Sequence, residues 1–155
     1  MANYRSIHVK LWSDPKFEPL SALAKLLFVY LLTNSLRMSS GLYVITIKRM
    51  AADTSIKLEE VEQALIELAE AGMVKYDDAK SVVWVVNALR YIQDTPQMRK
   101  SVINDLCFNA SSFLVEELLK HHRHVRGWPE FTEEVQFELD SCNAKEELDN
   151  GEVPF

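Results

Sequence analysis

The sequence predicts a mostly α (α+β) protein: a winged helix-turn-helix with a small β-hairpin wing and a C-terminal helical extension. Stretches with helical or strand periodicity follow one another in the order helix, strand, helix, helix, strand, strand. The chain has 155 residues, a usual size for one domain plus an appendage. Its apolar residues, 48% of the total, suffice for a buried core. The sequence contains no internal repeat.

The N-terminal part is predicted to contain one central helix. Residues 20–34 are apolar nearly all round, which is typical of a buried helix. Before it, Ile7, Val9 and Leu11 alternate with polar residues. This alternation predicts either a short strand or an extended arm over 6–12 that packs on the body.

A strand and a helix pair are predicted next. Residues 41–47 are rich in β-formers, and Thr46 is an N-cap for a short helix at 47–53. The helix at 58–71 has an apolar stripe at helical spacing, and Gly72 ends it as a C′ glycine. The residues of this stripe are Leu58, Val61, Ala64, Leu65, Leu68 and Ala69.

The hairpin completes the winged-helix pattern. Strands at 73–76 and 82–86 are joined by the polar loop 77–81. A helix-turn-helix whose second helix runs straight into such a hairpin has the order of a winged helix. The strand at 41–47 is expected to add a third strand to the hairpin.

Beyond the wing, the sequence predicts mainly helices. The predicted helices span 87–93, 96–108, about 112–122 and 132–139. Thr95 with Pro96 begins the second of these, and Ser111 or Ser112 caps the third. We therefore divide the chain into a winged-helix domain at 1–93, a helical extension at 94–140 and a flexible acidic tail at 141–155.

The net charge of −6 is unevenly distributed. Residues 1–128 carry a net +2, and residues 129–155 carry −8. A net charge of +2 on residues 1–128 permits DNA binding but does not by itself indicate it. The acidic residues at 130–155 either keep the protein soluble, which we favour, or mimic DNA or cover the basic body.

Several classes of protein are disfavoured. Cys107 and Cys142 lack metal-site spacing, so free thiols in a reducing compartment are expected. No apolar signal core begins the chain, and the longest apolar run is too short for a bilayer. We expect a cytoplasmic protein without membrane contact. Signatures of phosphate loops and hydrolases are missing too, which predicts no enzymatic activity and no cofactor.

Residues 4–92 resemble a known family, the N-terminal domain of phage replisome organisers, which is related to DnaD-like primosome proteins. The order and spacing of five stretches carry the resemblance. They are Tyr4-Arg5-Ser6-Ile7 with Trp12-Ser13-Asp14, Val29 to Asn34, Gly41-Leu42-Tyr43, Leu58 to Val61 with Glu70 to Val74, and Val83 to Asn87. The resemblance implies a role at replication origins, with DNA, helicase-loading proteins and other copies of the chain as partners.

The helix-turn-helix is the expected DNA reader. Lys57 stands at the start of its second helix, where a cation is unfavourable for the helix dipole, and this placement favours a phosphate contact. Lys48 and Arg49 from the preceding helix are expected beside it, and Lys75 and Lys80 offer weaker contacts from the wing. Ordinary surface lysines are the alternative interpretation.

The acidic face of the second helix favours a different function. Glu59, Gln63, Ile66 and Glu70 share this face, and its carboxylates repel phosphates. The alternative hypothesis is therefore a protein-interaction or oligomerisation module with little affinity for DNA. Function follows the site rather than the fold.

Histidines and aromatic residues give weaker signals. His121, His122 and His124 cannot all reach one ion from a helix, so we expect no metal site there. A solvated helix end is favoured over a nucleic-acid contact. The aromatic residues are expected mostly in the core. They include Trp12, Trp84, Trp128, Tyr4, Tyr30, Tyr43 and Tyr76.

Overall fold

A computed structural model describes residues 4–92, 95–109, 111–123 and 129–151. It confirms the predicted class: a mainly helical chain with one small antiparallel sheet, arranged like a winged helix. The α-helices are α1 (Ala22–Thr33), α2 (Ile47–Thr54), α3 (Leu58–Glu70), α4 (Pro96–Phe108), α5 (Phe113–His122) and α6 (Pro129–Gly151). The strands are β1 (Leu42–Val44), β2 (Val74–Asp77) and β3 (Val82–Val85). Two short 3-10 helices span Val9–Ser13 and Ala88–Tyr91.

Local capping chemistry sets the helix boundaries. The hydroxyl of Thr46 accepts the amide of Arg49 at 3.1 Å, as expected for the N-cap of α2. Thr95 and Ser112 cap α4 and α5 in the same way. At the end of α3, Gly72 adopts φ +70°, and the amide of Met73 reaches back to the carbonyl of Leu68. This Schellman arrangement turns the chain directly into the hairpin.

The sheet has the order β1-β3-β2, so β3 is its central strand. Leu42 lies opposite Trp84 on one side, and Lys75 lies opposite Trp84 on the other. The strand at 41–47 therefore adds to the hairpin as predicted. All four residues of β3 are buried, because both faces of the sheet are covered.

Two hydrophobic cores lie on opposite faces of this sheet. The first core combines Val83 and Val85 with α1, α2 and α3. The second core combines Val82 and Trp84 with α4, α5 and α6. The helical extension therefore packs on the winged helix through the sheet. The domain boundary at residue 93, between the winged helix and the extension, stays a prediction.

Three sequence expectations are corrected. Residues 9–13 form a 3-10 helix with no buried residue, and not a strand, since the polar cap of His8 turns the chain. Helix α1 is not buried all round: Leu23 and Leu26 are 38% and 46% exposed. The predicted helix at 132–139 is part of the longer α6, which continues into the segment expected to be a flexible tail.

The aromatic residues divide between core and surface. Trp84 and Tyr43 are buried as expected, and Tyr30 and Tyr76 are half-buried. Tyr4 and Trp12 are exposed, contrary to expectation. Trp128 lies outside the described residues. Within the described part of the chain, no helix combines the length and the hydrophobicity needed to cross a bilayer.

Candidate nucleic-acid interface

The three basic residues predicted in the helix-turn-helix are exposed. Lys48 and Arg49 lie in the first turn of α2, and Lys57 is the N-cap residue of α3. The turn between the helices passes through Ser55, which adopts a left-handed conformation with φ +60°. These positions place three cations along the two helix starts of the helix-turn-helix.

Arg49 is held by a small polar network. Its Nε atom donates to Asp53 Oδ2 at 2.8 Å, one helical turn later. The Tyr30 hydroxyl, from α1, donates to the same oxygen at 2.6 Å. Hydrogen bonds from Arg49 and Tyr30 lower the pKa of Asp53, so the carboxylate is charged at neutral pH. The network fixes the orientation of the guanidinium through its Nε atom.

The start of α3 lacks a side-chain cap. Lys57 occupies the N-cap position with extended backbone and cannot accept a hydrogen bond from the first amides of the helix. Unsatisfied amides at a helix start, together with the helix dipole, favour an anion such as phosphate. The exposed carboxylates of Glu59 and Glu60 in the same turn act in the opposite direction.

The wing residues are placed differently from one another. Lys75 forms an ion pair with Glu117 of α5 at 2.7 Å, and its ammonium lies 5.9 Å from the centre of the Trp84 ring. Lys80 is exposed in the turn of the hairpin. Thus Lys80 is open to a ligand, whereas Lys75 already holds the extension against the sheet.

Asp77 is a buried carboxylate at the turn of the hairpin. It is 5% exposed, and its two oxygens accept the Lys80 amide at 3.2 Å and the Ser112 hydroxyl at 2.8 Å. The same Ser112 hydroxyl caps α5. Asp77 therefore closes the hairpin turn and fixes the start of α5 beside it.

The acidic face predicted on α3 exists as a surface. Glu59, Gln63, Ile66 and Glu70 are all exposed, and Ile66 keeps 51% of its area in solvent. Glu67, at the margin of this face, is bound by α1. Its carboxylate accepts both the amide and the hydroxyl of Ser21 at 2.7 Å, and these bonds lower its pKa.

The histidine segment is not a solvated helix end. His122 is 1% exposed at the end of α5, and the half-buried ring of His121 meets Trp84 edge-on with centroids 5.7 Å apart. Both rings belong to the junction between α5 and the sheet. His124 lies outside the described residues.

Sequence reasoning did not identify the partners that orient the basic residues. The Arg49–Asp53 pair has i,i+4 spacing and could have been found in the sequence. The bonds of Tyr30 to Asp53 and of Lys75 to Glu117 join residues 23 and 42 positions apart. No local pattern carries such pairs.

A family model for Firmicute plasmid replication proteins (RepL) matches residues 20–114, from the residues just before α1 to the beginning of α5. No curated protein matches the chain, and neither does any solved structure. The match supports the replication part of the resemblance noted above, and the narrower assignment to phage replisome organisers stays a prediction. Because the matched region covers more than half of the 155 residues, the chain belongs to the RepL family of Firmicute plasmid replication proteins.

Proposed function

We propose that the protein is a non-enzymatic, cytoplasmic DNA-binding protein of plasmid replication that holds duplex DNA with the starts of α2 and α3. Membership of a replication family supports the biological role. The exposure of Lys48, Arg49 and Lys57 at the starts of the two helices supports the binding surface.

The chemistry of this surface suits a phosphate backbone. Lys57 and the uncapped amides of α3 provide one anion site, and the oriented guanidinium of Arg49 provides a second. Lys48 and the wing residue Lys80 extend the positive surface. Lys75 is not included, because its ammonium is already paired with Glu117.

The test is fluorescence anisotropy with labelled duplex DNA at several salt concentrations. Three phosphate contacts give a slope of about −2.7 for log affinity against log salt. The triple variant Lys48→Glu, Arg49→Glu and Lys57→Glu should lose salt-sensitive binding.

The matched control places the same charge change on the C-terminal helices α4, α5 and α6. The residues for it are Lys100, Lys120 and Lys145, each changed to Glu; all three are exposed. Long-range repulsion lowers the affinity of both triple variants, but only the first removes the contacts. Equal affinities of the two variants would refute the proposed surface.

A second candidate function is protein interaction through the acidic face of α3. The observation that favours it is Ile66, which lies 51% exposed among Glu59, Gln63 and Glu70. An apolar residue inside a charged rim is typical of an interface centre. Ile66→Ser should then abolish self-association or partner binding in sedimentation experiments and leave DNA affinity unchanged, because it removes the apolar side chain without adding a charge.

The finer proposal concerns the step of replication. From the resemblance of residues 4–92 to replisome organisers, we infer initiation at an origin, with helicase-loading proteins as partners and self-association of the chain. Footprinting on plasmid origin DNA checks this proposal. Protection of origin sequence no stronger than that of random sequence would contradict it.

A further inference from the structure

A second basic surface lies away from the helix-turn-helix. A cleft of about 250 Å³ opens between the N-terminal segment, the loop after α1, the second 3-10 helix and the start of α4. Four of its residues matter here, Tyr4, Arg5, Arg37 and Tyr91, and we call it the Tyr–Arg cleft. No residue of α2 or α3 lines it.

Two arginine side chains line this cleft. Arg5 donates from Nη2 to the backbone oxygen of Arg37 at 2.7 Å, and Arg37 donates from Nη1 to Leu32 O at 2.9 Å. Arg37 Nε is buried without a hydrogen-bond partner among the described residues. A buried donor without an acceptor is costly and calls for an explanation. The cleft is therefore lined by a guanidinium group whose hydrogen bonds are incompletely satisfied.

The charge around the pair remains positive. Burial lowers the pKa of Arg37, and the neighbouring charge of Arg5 lowers it further, so the two cations destabilise each other. Arg5 also acts on the carboxylate of Asp105, which is already bonded to the Ser40 amide at 3.0 Å. The charges of the two guanidinium groups attract an anion.

The same cleft exposes two aromatic rings. Tyr4 and Tyr91 are 86% and 74% exposed, although tyrosines of a folded chain usually bury most of their ring. The His8 ring lies against Tyr91 with centroids 6.4 Å apart, which limits where the Tyr91 ring can turn. Exposed rings beside cations are the arrangement with which proteins bind unpaired bases and their phosphates.

The size of the cleft restricts the ligand further. Pockets that enclose a whole small molecule measure about 300–1,000 Å³. A cleft below this range accommodates part of a longer chain, such as one nucleotide. From these observations we propose that the Tyr–Arg cleft binds unpaired nucleotides of a single-stranded nucleic acid, with a base stacked on Tyr91 and a phosphate held by Arg5 and Arg37.

This binding mode is separate from duplex binding. Duplex DNA keeps its bases stacked inside the helix, so it cannot place a base on Tyr91. The proposal therefore requires only residues outside the α2–α3 surface. A replication protein with both sites could hold duplex DNA at one face and a separated strand at the other.

The experiment measures anisotropy of labelled oligothymidylate, oligouridylate and duplex DNA with the full chain at low salt. Tyr91→Ala should weaken single-strand binding by about 5- to 150-fold, the range for loss of one stacked base. Tyr91→Phe should remain within about twofold of the unchanged protein, because the ring is kept. Arg5→Gln should reduce the salt slope by about 0.7, the value for one single-strand phosphate contact.

The control is Phe108→Ala, which removes another ring of similar exposure, 73%, outside the cleft. Circular dichroism verifies that all variants fold. Equal binding of thymidylate and uridylate strands supports recognition of unpaired nucleotides in general. Binding of only one of them shows whether the ligand is single-stranded DNA or single-stranded RNA. Absence of single-strand binding, or unchanged binding by Tyr91→Ala, would overturn the proposal.

The duplex measurements separate this proposal from the proposed function. Tyr91→Ala should leave duplex affinity unchanged, and the Lys48, Arg49 and Lys57 variant should keep stacking on Tyr91. If single strands bind through Tyr91 and duplex DNA does not bind, the α2–α3 proposal alone fails. If duplex DNA binds and Tyr91→Ala changes nothing, the cleft proposal alone fails.

Discussion

His122 makes the stability of this protein sensitive to mild acid. Its imidazole is 1% exposed at the end of α5. Burial lowers the pKa of His122 to about 4, and the nearby charges of His121 and Arg90 act in the same direction. In the unfolded chain the pKa of the same group is about 6.5. Between these two pH values the unfolded state binds a proton that the folded state does not.

The sign and size of the effect follow from this difference. Stability contributed by His122 is present above about pH 6.5 and is lost as the pH falls toward 4, because protons favour the unfolded state. At pH 5 the loss relative to pH 7.5 is about 2 kcal/mol, and below pH 4 it approaches about 3.4 kcal/mol. A domain of this size is stable by only about 5–15 kcal/mol, so the loss is measurable.

Urea unfolding at pH 7.5 and pH 5 measures this difference. From pH 7.5 to pH 5, the free energy of unfolding of His122→Leu should fall by about 2 kcal/mol less than that of the unchanged protein. The comparison isolates His122 because every other group titrates in both proteins. Phe108→Leu, a change at an exposed side chain that carries no titratable group, is the control. Equal pH dependence of His122→Leu and the unchanged protein would refute the argument.

Three further predictions rest on other contacts. Asp53→Ala removes a negative charge, yet it should weaken duplex binding about threefold or more in anisotropy, because Arg49 loses the acceptor that orients it; tighter binding would show that charge alone matters. Gly41→Ala should cost at least about 2 kcal/mol in thermal unfolding, since Gly41 has φ +74° and a Cβ would meet another side chain at 2.3 Å. Cys107 and Cys142, with Sγ atoms 2.9 Å apart, should form a disulfide with glutathione disulfide, releasing two glutathione thiols. The bond closes a loop of about 35 residues and should stabilise the chain by about 4 kcal/mol in urea, whereas absence of the bond by mass spectrometry would contradict this geometry.

Local signals in the sequence predicted most of the winged helix. Thr46, Thr95 and Gly72 mark helix ends through bonds to residues within five positions, so their effect is readable without the fold. The apolar stripe of α3 was also predictable, although Leu58 and Ala69 at its margins are exposed. Helical periodicity gives the direction of the buried face and not its width.

The remaining differences come from tertiary packing. Leu26 is apolar like a core residue, but no other described element covers it, and it lies 46% exposed on α1. The apolar alternation at 6–12 resembles a strand, yet residues 9–13 form a 3-10 helix and Val9 stays exposed. Periodicity records which residues are apolar, and only the fold determines which of them find a partner.

The candidate sites also divide into features that local sequence signals predict and features that only the fold brings together. The cations at 48, 49 and 57 were found because helix starts are visible in the sequence. The Tyr–Arg cleft was missed because it assembles residues from four separate segments, among them Arg5, Arg37 and Tyr91. Lys75 was assigned to DNA, while its ion-pair partner, Glu117, lies 42 positions away.

The placement of β3 between two cores has a consequence for how the protein unfolds. Val83 and Val85 depend on α1, α2 and α3, and Val82 and Trp84 depend on α4, α5 and α6. Melting of either helical layer would expose one side of the same strand to water and remove half of its packing. The two layers therefore share one folding transition, and a chain cut after residue 93 would present Leu42 and Trp84 to solvent as an aggregation-prone surface.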